Sequence, residues 1–250
     1  MSGHSKWSQI KRQKGVADVK RGQLFTKLAR EIIVAVRQGG PNLESNFQLR
    51  LVVEKARDNN MPSDNIERAI KRGSGEAGEA ALIEMKLEGY GPSGIAVLVE
   101  ALTDNRNRTV QEVRRLFTRH GCGLGENGCV SWLFDSRGVI TVESNDSDTE
   151  EIALLAIDAG AEDVKTEKDY LEIYTQPQDL EKVRKIVEEN GHVISAELSL
   201  MPQTTVLLEE NKAVQALNFL DELEGLDDVQ RVFSNIDFSE ATLERLRSQT

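Results

Sequence analysis

Two cysteines, Cys122 and Cys129, in 250 residues are too few for a disulfide framework, which points to a reducing compartment. The three histidines, His4, His120 and His192, fall in no triad, zincin or P-loop signature, so no catalytic residue is assigned and no enzyme is expected. No stretch approaches the roughly 20 apolar residues of a membrane helix, and no apolar run follows the basic residues at the start. A cytoplasmic chain without a membrane partner is expected. What the sequence does have is an ordinary globular composition, 39% hydrophobic and 29% charged, which excludes a disordered or fibrous chain.

The net charge of −11 argues against a nucleic-acid partner only as an average. Residues 1–75 carry 15 Lys and Arg against 7 Asp and Glu, whereas residues 76–250 carry 16 against 35. A basic head on an acidic remainder is the pattern of a chain that meets phosphate at one end.

Hydrophobic periodicity divides the chain further. Met1 to about Val16 is an arm in which Lys6, Lys11, Arg12 and Lys14 surround Trp7. From Asp18, the residues Leu24, Phe25, Leu28, Ala29, Ile32, Ile33 and Val36 recur at helical spacing until Gly39, Gly40 and Pro41 stop the run. A second helix is expected from about Glu44 to Asp58. A third is expected after Pro62, with Ser63 as its N-cap, ending at Gly73. Beyond a Gly/Glu/Ala-rich linker the pattern turns to strands, at Leu82–Glu88 and Ile95–Leu102, then a helix at Thr109–Arg119 and a strand near Cys129–Phe134. Residues 138–200 spell strand, helix, strand, strand, helix, strand, the ferredoxin-like order. Strand Thr204–Leu208, helix Lys212–Leu223 and strand Val229–Phe233 complete what residues 95–134 begin. The expected architecture is therefore α+β multidomain: a helical N-terminal three-helix bundle followed by two ferredoxin-like α+β domains, one inserted in the other. Its expected boundaries are 1–75 for the arm and bundle, 80–135 plus 201–240 for the second domain, and 136–200 for the acidic insert.

Three sets of residues are candidates for chemistry. Lys20, Arg21, Lys27, Arg30 and Arg37 lie off the apolar stripe of the first helix, either as a solvated face or as a phosphate-binding one, since phosphate affinity comes largely from counterion release. Trp7 either stacks on a base or anchors the arm in the bundle. The run Asp104-Asn105-Arg106-Asn107-Arg108-Thr109, followed by Arg114, Arg115 and Arg119, joins a strand to a helix start, where exposed amides, guanidinium groups and free N–H groups suit a phosphate or an RNA backbone. The alternative is that Asp104 and Asn107 are helix caps and the arginines pair with nearby acids. His120, Cys122 and Cys129, with six residues between the cysteines, are too few and too widely spaced for structural zinc. Two Gly-x-Gly-x-x-Gly matches, at Gly89–Gly94 and Gly123–Gly128, lack the strand-before, helix-after context of a dinucleotide site and read as turns. No metal and no cofactor is expected.

Five strings, Gly3-His4-Ser5-Lys6-Trp7, Arg21-Gly22-Gln23-Leu24-Phe25-Thr26-Lys27, Asn59-Asn60-Met61-Pro62, Glu88-Gly89-Tyr90-Gly91-Pro92 and Asp104–Thr109, together resemble the YebC/PmpR family, which includes a mitochondrial translational activator. The resemblance spans the chain. It implies three domains with the third inserted in the second, and a non-enzymatic DNA-binding transcriptional regulator. Other members imply a ribosome-associated factor that helps elongation through proline-rich stretches. The partner would be DNA or ribosomal RNA. Carried over by position, it implies His4, Lys6, Trp7, Lys11, Lys14, Lys20, Arg21 and Lys27 as nucleic-acid contacts, with Arg106, Asn107 and Arg108 as a second surface. A reading from another class is an adaptor whose acidic ferredoxin-like domain binds a basic protein.

Overall fold

The computed structural model describes residues 18–75, 82–143, 149–166 and 170–239, with 241, 242 and 245; side chains are described from residue 22 onward. His4, Lys6, Trp7, Lys11 and Lys14 lie outside the described residues.

The chain divides into two compact units, residues 1–134 with 202–250, and residues 135–201. The first unit opens with helices α1 (Asp18–Gly39), α2 (Phe47–Asp58) and α3 (Ser63–Gly73). Their apolar stripes meet in one core of Leu28, Ile32, Ile33, Val36, Leu49, Val53, Ile66 and Ala69. The α1–α3 contact is close because Gly73 has no side chain: a Cβ there would lie 2.6 Å from Val36 Cβ. Asn46 begins α2, its Oδ1 accepting from Leu49 N at 3.0 Å and its Nδ2 donating to Ala35 O at 2.7 Å, which fixes α2 to the end of α1. Ser63, expected as a cap, is instead the first helical residue of α3. Pro62 precedes it without a side-chain cap, as the preset φ of proline allows. Asn60 ends α2 in the left-handed region at φ 58, a conformation Asn tolerates better than most residues, while Met61 N returns to Ala56 O at 2.9 Å.

The same unit continues as a four-stranded antiparallel sheet. Strand β1 (Ile83–Tyr90) turns through Pro92–Gly94 into β2 (Ala96–Thr103), in register from Ile83↔Thr103 to Tyr90↔Ala96. Helix α4 (Arg106–Arg119) leads to the two-residue β3 (Gly123–Leu124) beside β1. The strand expected near Cys129–Phe134 is absent. That segment is a loop and a short 3-10 turn, Ser131–Leu133, because its N–H groups are claimed by a carboxylate described below.

The second unit is built from β4 (Phe134–Glu143), α5 (Thr149–Ala159), β5 (Asp163–Thr166), β6 (Tyr170–Thr175), α6 (Leu180–Glu188) and β7 (Val193–Pro202). Its sheet order is β5-β6-β4-β7, the ferredoxin-like arrangement. The chain then returns to the first unit. The expected strand Thr204–Leu208 shrinks to β8 (Val206–Leu207), outside the main sheet and paired in parallel with β10 (Ile236–Asp237). Helix α7 (Glu210–Glu224) and β9 (Val229–Ser234) finish the fold, with β9 against β2, so the main sheet runs β3-β1-β2-β9. Helices α4 and α7 cover one face of this sheet. Their core centres on Val97, Val99, Val113, Phe117, Phe219, Leu220 and Val232, with the Phe117 and Phe219 rings edge to face at 4.9 Å.

Candidate nucleic-acid interface

The bundle's basic helix is attached to the sheet by its own cations. Lys27 Nζ donates to the carbonyl of Glu224, the last residue of α7, and Arg30 Nη1 to that of Asp227 in the turn after it. Further along, Arg37 Nη1 donates to Leu82 O at 3.2 Å and Gln38 Nε2 to Glu84 Oε1 at 3.0 Å. Burial pushes the Lys27 ammonium down to about 8, and the charges of Asp227 and Glu31 partly oppose that shift. Lys20 and Arg21 lie in the first turn of α1.

The turn after α7 ends in Asp228, only 2% exposed. Its Oδ2 accepts from Thr109 Oγ1 at 2.7 Å, Arg108 Nη2 at 2.7 Å, Thr103 Oγ1 at 3.0 Å and Arg108 Nε at 3.2 Å. Its Oδ1 faces Arg30 Nη1 at 3.1 Å. Burial raises this carboxyl, and the donors from Arg108, Thr109 and Thr103 more than offset it, holding it below the usual carboxylate value.

This geometry explains most of the Asp104–Thr109 run. Asn105, rather than Asp104 or Asn107, is the N-cap of α4, accepting from Arg108 N at 3.2 Å. Asp104 braces Arg108 from the solvent side at 2.9 Å. Arg108 and Thr109 reach inward to Asp228. Arg106 and Asn107 point outward, with no side-chain partner among the described residues. Since Arg30 and Arg108 share one carboxylate, the structure brings the basic face of α1 beside the start of α4. The sequence reading treated these as two separate surfaces.

A second buried carboxylate organises the Gly-rich turn after β3. Glu88, 5% exposed, accepts from Gly128 N at 2.9 Å, Val130 N at 2.9 Å and Ser131 N at 2.8 Å. Above it, Tyr90 Oη and Trp132 Nε1 both donate to Cys129 O, at 3.3 and 3.1 Å, and the two residues stay 46% and 64% exposed.

Residues 5–76 match the TACO1/YebC N-terminal domain, and residues 82–236 match the TACO1/YebC second and third domain. The chain belongs to the TACO1/YebC family. A "probable transcriptional regulatory protein" of Dehalococcoides mccartyi is 58% identical over 250 residues, covering all of both chains. Another, of Thermotoga maritima, is 48% identical over 250 residues, covering all of this chain and 99% of the relative. A solved structure, a conserved hypothetical protein from Aquifex aeolicus, superposes with a TM-score of 0.82 at 47% identity, over 89% of this chain and 93% of that one.

In this TACO1/YebC chain the strings that carry the resemblance have visible structural roles. Asn59-Asn60-Met61-Pro62 ends one helix and starts the next. Glu88-Gly89-Tyr90 supplies the loop anchor, a close contact and an exposed ring; a Cβ on Gly89 would lie 2.7 Å from both Gly123 O and Phe117 Cε1. Both Gly-x-Gly-x-x-Gly matches are turns. Cys122 is half-buried against the main core, its Sγ 3.3 Å from His120 O, while His120 Nε2 lies 3.1 Å from Glu222 Oε2. Among the described residues no group of three or more His, Cys, Asp and Glu could hold a metal ion, and no helix is long and apolar enough to cross a membrane. Sequence reasoning missed Asp228 altogether. The donors to its Oδ2 lie 119 to 125 residues away, and no local pattern announces such a meeting.

Proposed function

We propose that this protein is a nucleic-acid-binding regulator of gene expression that acts on DNA in transcription, as the names of its relatives suggest for them. The observation that carries the reading is the placement of charge. The cation excess lies in the first 75 residues, and the one buried carboxylate that receives Arg30 also receives Arg108, so the basic helix and the Arg106–Arg108 segment act as one surface. Phosphate contacts of this kind position a protein on a nucleic acid without reading its bases. In this reading His4, Lys6, Trp7, Lys11, Lys14, Lys20, Arg21, Arg106 and Asn107 face the nucleic acid. Lys27 and Arg108 are positioning residues, engaged within the chain. Binding is the whole of the role, with no catalytic step.

Electrophoretic mobility shift of the full chain on mixed-sequence duplex DNA, beside co-sedimentation with ribosomes over a salt series, tests this. Salt-sensitive DNA binding that is lost in Lys20→Glu/Arg21→Glu, with folding intact, is the expected result. Co-sedimentation with ribosomes and no DNA binding would replace transcription with a role at the ribosome. Binding to neither would overturn the reading.

A further inference from the structure

Helix α4 carries a polar face that continues from Asn107 past the Asp104–Thr109 run. At 3.6 residues per turn, Asn107, Gln111, Arg114, Arg115 and Thr118 fall within an arc of about 100°. All five are exposed, while Val113, Leu116 and Phe117 on the opposite side are buried in the main core. The one acid of the helix, Glu112, lies outside that arc.

Residues 76–250 hold 16 cations against 35 acids, yet five of the 16 are the arginines of this one helix. Most other cations of the region are occupied: Lys86 by Glu100, Arg137 by Glu162, Lys185 by Glu181. Within α4, Arg108 is held by Asp104 and Asp228, and Arg119 by Glu222. Arg114 and Arg115 have no ion-pair partner among the described residues, and the exposed Asn107 and Gln111 side chains beside them make no hydrogen bond to those residues. In a region this rich in carboxylates, two adjacent unpaired guanidinium groups flanked by amides and a hydroxyl complement a row of phosphates, because they supply charge and fixed donors together.

We infer that the outward face of α4 is a phosphodiester contact strip, with Arg114 and Arg115 each neutralising a backbone phosphate and Asn107, Gln111 and Thr118 donating to neighbouring phosphate or sugar oxygens. The inference rests on the nucleic-acid reading above and adds a surface to it.

Counterion release gives a test that counts the contacts. Each phosphate neutralised adds about 0.9 to the slope of log K against log salt on duplex DNA, and about 0.7 on a single strand. Full-length Arg114→Gln/Arg115→Gln is expected to lower that slope by about 1.8 on mixed-sequence duplex DNA, or about 1.4 on single-stranded RNA of equal length. The probe that shows the change identifies the polymer. Gln keeps the helix propensity, so the urea midpoint should stay where it is. Arg114→Lys/Arg115→Lys should restore the slope, since it returns the charge. Lys212→Gln, which removes an exposed cation on α7, should leave the slope unaltered. An unchanged slope in the glutamine variant, with the wild type binding in a salt-sensitive way, overturns the strip and leaves the function standing. A wild type that binds neither probe overturns both.

Discussion

Asp228 and Glu88 are both carboxylates buried in the same unit, and each is held by at least three donors, yet they fasten different things. Glu88 takes backbone N–H groups from Gly128, Val130 and Ser131, a stretch of four residues, and so shapes one loop. Asp228 takes side chains from α1, β2 and α4, and so holds three elements in place. A carboxylate that meets backbone sets local conformation. One that meets side chains sets the assembly of elements, and its removal reaches further.

The largest effect should come from breaking the second kind. Asp228→Ala removes the one buried acceptor that Arg108, Arg30 and two threonine hydroxyls share. It should cost about 3 kcal/mol, the low end of the range for a broken buried pair because Arg108 keeps access to water. The urea midpoint reads this directly, and protection of the α1 amides against hydrogen exchange should fall with it. Glu88→Gln presents an amide donor where one N–H group (Gly128) or two (Val130 and Ser131) need an acceptor. A loss of about 1–3 kcal/mol is expected. Here faster exchange should be confined to residues 125–132, with a shift in Trp132 fluorescence in a Trp7→Phe background. Faster exchange across α1 in this variant would erase the distinction between the two sites.

The pH dependence sharpens the comparison. Both carboxyls sit below their ordinary value when folded, so their contribution is complete above the unfolded value and disappears as pH falls through the folded one. Lys27 behaves in the opposite region. Its folded value of about 8 lies below the ordinary 10.5, so between these two the unfolded chain binds more protons and stability rises with pH. Lys27→Met should abolish that alkaline rise and leave the acid limb unchanged, as urea midpoints from about pH 2 to 10 would show. The smallest effect belongs to Asp104, which holds the same Arg108 from the exposed side. Asp104→Ala should cost less than about 1 kcal/mol, and a double-mutant cycle with Arg108→Ala should show a weaker coupling than the one with Asp228.

How much of this was legible depended on the distance over which each signal acts. The helix α1 could be read to its ends because Leu28, Ile32 and Val36 repeat every four residues and Gly39 with Gly40 stops the run. The β4-to-β7 order was legible for the same reason, since each element carries its own period. Cys129–Phe134 reads as a strand because a short apolar run with Val130, Trp132 and Phe134 follows a Gly-rich turn, whereas Glu88, some forty residues earlier, takes the N–H groups a ladder would need. The sequence puts the α4 cap one residue before Asn105 or two after it because Asp104, Asn105 and Asn107 are all suitable types, and only packing against Asp228 selects among them. Lys27 and Arg30 look like solvated cations in any local window. Their carbonyl partners lie 197 residues downstream, beyond the reach of periodicity.

The order of strands in the main sheet has a consequence for synthesis. β2 is buried along almost its whole length, and one of its edges is covered only by β9, whose residues follow about 130 positions later. At the usual 5–20 residues per second, that apolar edge waits about 7–26 s for its partner while residues 135–201 are made and fold in between. An open edge of this kind invites pairing with another nascent chain. Slow codons placed between residues 104 and 228 should therefore lower the soluble yield, and a circular permutant that makes β9 before β1 should be indifferent to them.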